Sequence, residues 1–199
     1  MSENARKNLE TALQSVFSEE EAGWLARLLD SFTPHDTIYY ENIDLPEAQK
    51  DEYILMAFEE RLLYPYTSTA GSAWQDCMLT LAPGTLYIMP RVIKTLVDDA
   101  AKTGRFHPDT AIRDVLAEKE DKDEVRQLID YFNRLKPHAV SYKIEAGLLG
   151  TLNQGPAPLP DLHNTVDLFV LVGMMSPCTR GPITSGLAWY ELNPALYWE

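Results

Sequence analysis

The sequence predicts an α+β fold of two tandem units, each made of helices followed by a C-terminal β-hairpin, joined by a helical connector. The first observation behind this is a repeat. Residues 62–88, LLYPYTSTAGSAWQDCMLTLAPGTLYI, return in altered form as residues 174–198, MMSPCTRGPITSGLAWYELNPALYW. Pro65 matches Pro177, Leu81-Ala82-Pro83 matches Leu192-Asn193-Pro194, and Leu86-Tyr87 matches Leu196-Tyr197. Each copy runs from an apolar pair through a polar, turn-rich loop into a second apolar segment, which is the pattern of a hairpin. The second observation is that the repeat extends upstream. At a spacing of 103 residues, Ala22, Leu25, Leu29 and Phe32 align with Val125, Leu128, Phe132 and Leu135. Pro34-His35 then aligns with Pro137-His138, and Tyr39 with Tyr142. The third is composition: 199 residues, 45% of them hydrophobic, supply enough apolar side chains for a core in each half.

The elements follow in chain order. Residues 1–17 place Leu9, Ala12, Leu13 and Val16 on one face of an amphipathic helix. Ser18 followed by Glu21 has the spacing of a capping box, so a second helix starts there and stops before Pro34. Residues 37–40 have strand composition, and Asp44 and Pro46 open a helix running to about Arg61. The first hairpin follows. Residues 90–103 form a helix ended by Gly104, and residues 108–116 a shorter one. The charge run 118–124 reads as a solvated joint. Residues 124–136 carry Val125, Leu128, Ile129, Phe132 and Leu135 at helical spacing, and residues 161–173 are the counterpart of the helix before the first hairpin. The repeat spacing grows from 103 to 112, and the proline-rich loop 154–160 is the expected site of the extra residues.

The expected division is residues 1–88, a connector at 89–123, and residues 124–199. The order helix, short extended segment, helical region, helix, two-stranded hairpin resembles the winged helix, a variant of the helix-turn-helix. What that resemblance implies is a recognition helix before each hairpin and a wing in each hairpin loop, here residues 66–75 and 178–188. The first copy departs from the pattern in having little room for a middle helix between Tyr40 and Pro46.

Charge narrows the function. The chain carries a net charge of -13. Residues 1–90 hold 15 acids and 5 bases, residues 91–136 hold 10 of each, and residues 137–199 hold 5 acids and 2 bases. A nucleic-acid binder needs a basic footprint to displace counterions from phosphate, and neither copy has one. The sparsely charged second copy points instead to an apolar surface that meets a protein partner or a second copy of the chain. There is no apolar run long enough for a membrane span and no signal-peptide core, so a cytoplasmic address and no membrane partner are expected.

Chemistry is sparse. Cys77 and Cys178 read as buried thiols, and the four histidines are scattered, with His35 and His138 at repeat-equivalent positions. No metal-ligand spacing appears, and neither a metal nor a cofactor is expected. The run Gly181-Pro-Ile-Thr-Ser-Gly186 has the glycine spacing of a phosphate loop, but Leu187 stands where the lysine would be, so it reads as a wing. No nucleophile elbow or catalytic pairing is present, and no enzymatic activity is expected.

Two readings of function remain. The first is a protein-interaction module, an adaptor or complex subunit, with Trp189, Tyr190, Tyr197 and Trp198 as its partner surface, since aromatics dominate binding hot spots. The second is a DNA-binding transcriptional regulator using Arg91, Lys94, Lys102, Arg105 and Arg113 on the connector with Arg180 on a wing. The expected recognition helices favour the first: residues 46–61 carry a net charge of -3, and residues 161–173 hold Asp161 and Asp167 with no Lys or Arg.

Overall fold

A computed structural model of the chain describes every residue other than Pro34, 67–72, 75–76, 156–157, 180–187 and Glu199. The described residues form a mixed α+β structure with eight α-helices and two small antiparallel sheets. In order these are α1 (Glu3–Leu13), α2 (Glu19–Asp30), β1 (Thr37–Tyr39), α3 (Glu47–Glu59), β2 (Tyr64–Pro65), β3 (Leu86–Ile88), α4 (Arg91–Thr103), α5 (Pro108–Leu116), α6 (Lys122–Leu135), β4 (Lys143–Glu145), α7 (Ala146–Leu152), α8 (Leu162–Val172), β5 (Met175–Thr179) and β6 (Ala188–Leu192). The whole phosphate-loop-like run and most of both expected wings lie outside the described residues.

Helix ends follow their local chemistry. The Ser18 side chain accepts from the Glu21 amide while the Glu21 carboxylate accepts from the Ser18 amide, which completes the capping box. That hydrogen bonding holds the Glu21 carboxyl below its usual range. Gly104 closes α4 in the left-handed conformation, where a missing Cβ avoids the steric cost. Asp121 caps α6 by accepting from the Asp123 and Glu124 amides. The charge run read as a joint is therefore partly the first turn of α6, and Glu118 in it pairs with Arg91.

The two sheets have the same topology, β1-β3-β2 and β4-β6-β5. Their registers give residue equivalences. Ile38 and Pro65 both face Tyr87, and Ile144 and Pro177 both face Tyr190. The match of Pro65 to Pro177 therefore holds in the register, while Tyr87 corresponds to Tyr190 rather than Tyr197. Leu196-Tyr197 lies beyond β6 in a 3-10 turn, Pro194–Tyr197, and Leu192 corresponds by register to Met89 rather than Leu81, so both matches that defined the second hairpin strand are coincidental. Tyr39 likewise corresponds to Glu145, not Tyr142. The second copy spends extra residues on a tight turn before β4, where Ser141 and Tyr142 are left-handed and Val140 bridges to Lys143. Further extra residues build α7 where the first copy has only a 3-10 turn, Tyr40–Asn42. The added length is thus divided between these two places and the loop at 154–160.

The aligned helix faces are buried in both halves. Ala22, Leu25, Leu29 and Phe32 are buried, and so are Val125, Leu128, Phe132 and Leu135. Helix α1 packs on α2 and α4, α4 on α5, and α5 on α6 and the C-terminal 3-10 turn. The connector is consequently part of one continuous core rather than a solvated spacer. Val92, Ile93, Leu96, Ile112 and Val115 are fully buried within it. At about 25 cal/mol per Å² of apolar surface, such side chains each contribute about 2 kcal/mol of burial.

Candidate functional site

Helices α3 and α8 hold the same place before the β2 and β5 strands, and their outward faces are the first candidate. Each ends alike: the Leu62 amide donates to the Ala57 carbonyl, and the Met174 amide to the Phe169 carbonyl, closing the helix over left-handed Arg61 and Gly173 respectively. On α3 the side chains left to solvent include Asp51, Glu52, Leu55 and Glu59. The lysine of α3 does not join them. Lys50 is buried at 3% exposure, with Nζ 2.9 Å from Glu47 Oε1 and 5.0 Å from the centre of the Tyr40 ring. Tyr40 in turn donates its hydroxyl to Asp51 at 2.7 Å, and that bond, with burial, pushes the phenol up to about 12. On α8 the exposed residues include His163, Asn164, Asp167 and Leu171, the last at 72%. His163 lies 3.6 Å from Asp167 one turn away. Both faces are therefore acidic and apolar, without an exposed lysine or arginine.

Two of the residues expected to contact DNA are engaged in ion pairs. Arg91 is paired to Glu118, and Lys94 to Asp98 at 2.6 Å. Lys102, Arg105 and Arg113 are exposed on α4, the following turn and α5. Arg180 lies outside the described residues.

Of the four aromatics expected to form a partner surface, Trp198 lies in the core and the other three are half-buried. Trp198 is 7% exposed and packs its ring edge-on to Phe17 at 5.5 Å and against Phe106 at 5.0 Å, so it belongs to the core. The exposed-anchor expectation fails because Phe17, in the turn after α1, and Phe106, in the turn after α4, pack against this side chain. Tyr197 is half-buried, with its ring 5.1 Å from that of Tyr142 and its hydroxyl donating to the Lys136 carbonyl. Burial pushes its phenol up to about 12. Trp189 and Tyr190 are half-buried on β6.

The structure brings Arg105 to the same place as Tyr197 and Trp198. A groove of about 720 Å³ is lined by residues 105–110, by Asn133, Lys136 and Pro137, and by residues 196–198. Sequence reasoning assigned these residues to two different surfaces, and only the packing of α5 against the C-terminal turn unites them. Lys136, 3.9 Å from Asp109, was not singled out in the sequence, where it is one cation in a mixed-charge stretch.

The halves meet at Asn193, which is fully buried. Its side-chain amide donates to the carbonyls of Arg61 at 3.1 Å and Gly173 at 3.3 Å, while its Oδ1 accepts from the Ala195 amide. Arg61 reaches Glu191 at 3.0 Å, with both side chains largely buried. Ser176 of β5 accepts from the Trp74 amide, a further link between halves. Among the described residues no cluster of three or more metal-ligating side chains occurs, and no helix is long and apolar enough to cross a membrane.

No curated protein and no solved structure matches the chain. A family model does, and its match spans both sheets and the helices between them. The chain belongs to that protein family over residues 7–198.

Proposed function

We propose that the chain is a non-enzymatic protein-interaction module, an adaptor or complex subunit, built from two winged-helix-like units with α3 and α8 in the place of recognition helices. The repeated order of helix, strand, helical turn, helix and hairpin supports the winged-helix reading, as does the shared strand order of the two sheets. In this reading residues 1–88 and 124–199 are the units, and residues 89–123 brace them.

The observation that carries the functional half is the chemistry of the α3 and α8 faces. Asp51, Glu52 and Glu59 repel phosphate, and α8 offers only His163 and Asn164 beside Asp167. A duplex-binding helix would need the opposite sign. Carboxylates around Leu55 and Leu171 suit a protein partner with basic and apolar side chains, since complementary potential speeds and orients docking.

Fluorescence anisotropy with mixed-sequence and genomic duplexes at about 0.15 M ionic strength tests the first half, with no appreciable binding expected. Tight, sequence-selective binding there would replace this reading with that of a transcriptional regulator. Crosslinking in native lysate tests the second half. A partner captured by the wild type is expected to be lost by Leu55→Lys and Leu171→Lys together, and a partner retained by that variant would place the contact elsewhere.

A further inference from the structure

We propose that the groove between α5, the end of α6 and the C-terminal turn binds a small organic anion bearing an aromatic ring. At about 720 Å³ it has the size of a small-molecule site. Three stretches distant in sequence build it, so it exists only in the folded chain. Its base is apolar: Phe106, Leu196 and Trp198 are buried there, and the half-buried Tyr197 ring stands beside them.

Cations gather at this groove in a chain whose net charge is -13. Arg105 is exposed and takes part in none of the ion pairs among the described residues. Lys136 is shared with Asp109 at 3.9 Å and with the faces of Phe132 and Tyr197. Helix α5 begins at the groove with no side-chain cap, so its positive end adds to the field. His107 is already held 2.7 Å from Asp99, which makes Arg105 the principal anion contact.

The combination selects the ligand class. Inorganic phosphate would leave the aromatic base unused, and a neutral ring would leave the guanidinium without a partner. A ring against Tyr197 with a carboxylate, sulfonate or phosphate toward Arg105 uses both, through a charge-assisted and geometrically matched pair.

Isothermal titration of the full chain with 2-naphthoate, alongside the neutral 2-naphthamide and inorganic phosphate, tests this. The expected result is binding of 2-naphthoate, weakened about tenfold or more by Arg105→Glu, with the amide and phosphate weaker by a similar factor. Arg126→Glu, an equal charge change at an exposed position of α6 outside the groove, is expected to leave the affinity within about twofold. Arg105 is exposed, so unfolding midpoints equal to the wild type are expected for both variants. The proposal is overturned if 2-naphthoate fails to bind, if Arg105→Glu binds it as the wild type does, if Arg126→Glu weakens it equally, or if the amide or phosphate binds as tightly.

Discussion

Gly173 ends α8 in the same left-handed conformation in which Arg61 ends α3, with φ of 83° and 58°, and Asn193 donates to the carbonyls of both. By strand register, Asn193 after β6 corresponds to Pro90 after β3. Asn193 touches Arg61 of the other half, and Pro90 touches Gly173 of the other half. The two contacts are mates of one another, the exchange expected at a two-fold interface, here built within a single chain. The two partners also explain the two residues. A Cβ at position 173 would lie 2.4 Å from Pro90 Cβ, which glycine avoids. At position 61 the side chain escapes along Phe58 to Glu191.

Gly173→Ala is expected to cost about 3 kcal/mol. Left-handed strain at a residue with a Cβ contributes about 1 kcal/mol and overpacking against Pro90 about 1 to 3 kcal/mol. Urea unfolding gives the value, and a loss under about 1 kcal/mol would show that the junction yields.

Asn193→Ala removes a donor to two carbonyls and an acceptor for the Ala195 amide in a fully buried site. Each group left unsatisfied costs about 1 to 3 kcal/mol, so a loss of about 3 kcal/mol or more is expected. Asn193→Asp is expected to be at least as damaging, because a carboxylate cannot donate to the Arg61 and Gly173 carbonyls. Guanidinium midpoints for both variants check the order.

Trp198→Ala is expected to cost about 3 to 5 kcal/mol, the range for truncating a core aromatic. Trp198→Phe keeps the ring contacts with Phe17 and Phe106 and should lose less than half as much. Equal stability of Trp198→Ala and the wild type, read by thermal unfolding, would return this side chain to the surface.

Stability is expected to fall at alkaline pH. Burial raises Tyr131 and Tyr197 to about 12, and a hydrogen bond to Asp51 together with burial does the same for Tyr40. An unfolded phenol titrates near 10, so the unfolded chain binds fewer protons than the folded one above that pH. The stabilisation is therefore complete below about pH 10 and declines as pH rises toward 12. Ultraviolet titration of tyrosinate should show late ionisation of these phenols in the folded chain, coincident with loss of helical circular dichroism.

Local sequence determined the helices. The Ser18-Glu21 box, the stop at Gly104, and the buried stripes of α2 and α6 all arise from interactions within a few residues, which spacing encodes directly. Pro65 and Pro177 were legible for a related reason, since each follows its helix cap at a fixed distance. The second strand of each hairpin was not legible. Leu86-Tyr87 resembles Leu196-Tyr197 as a dipeptide, but strand register depends on which distant backbone supplies the hydrogen bonds, and in the second half Trp189-Tyr190 pairs instead. The same limit governs the site. A terminal tryptophan has the same composition whether it faces water or Phe17 and Phe106, and Arg105 lies far along the chain from Tyr197. Only the packing of α5 between α4, α6 and the C-terminal turn decided that one is core and that the other two share a groove, because long-range contacts are set by the whole chain's burial and not by any local pattern.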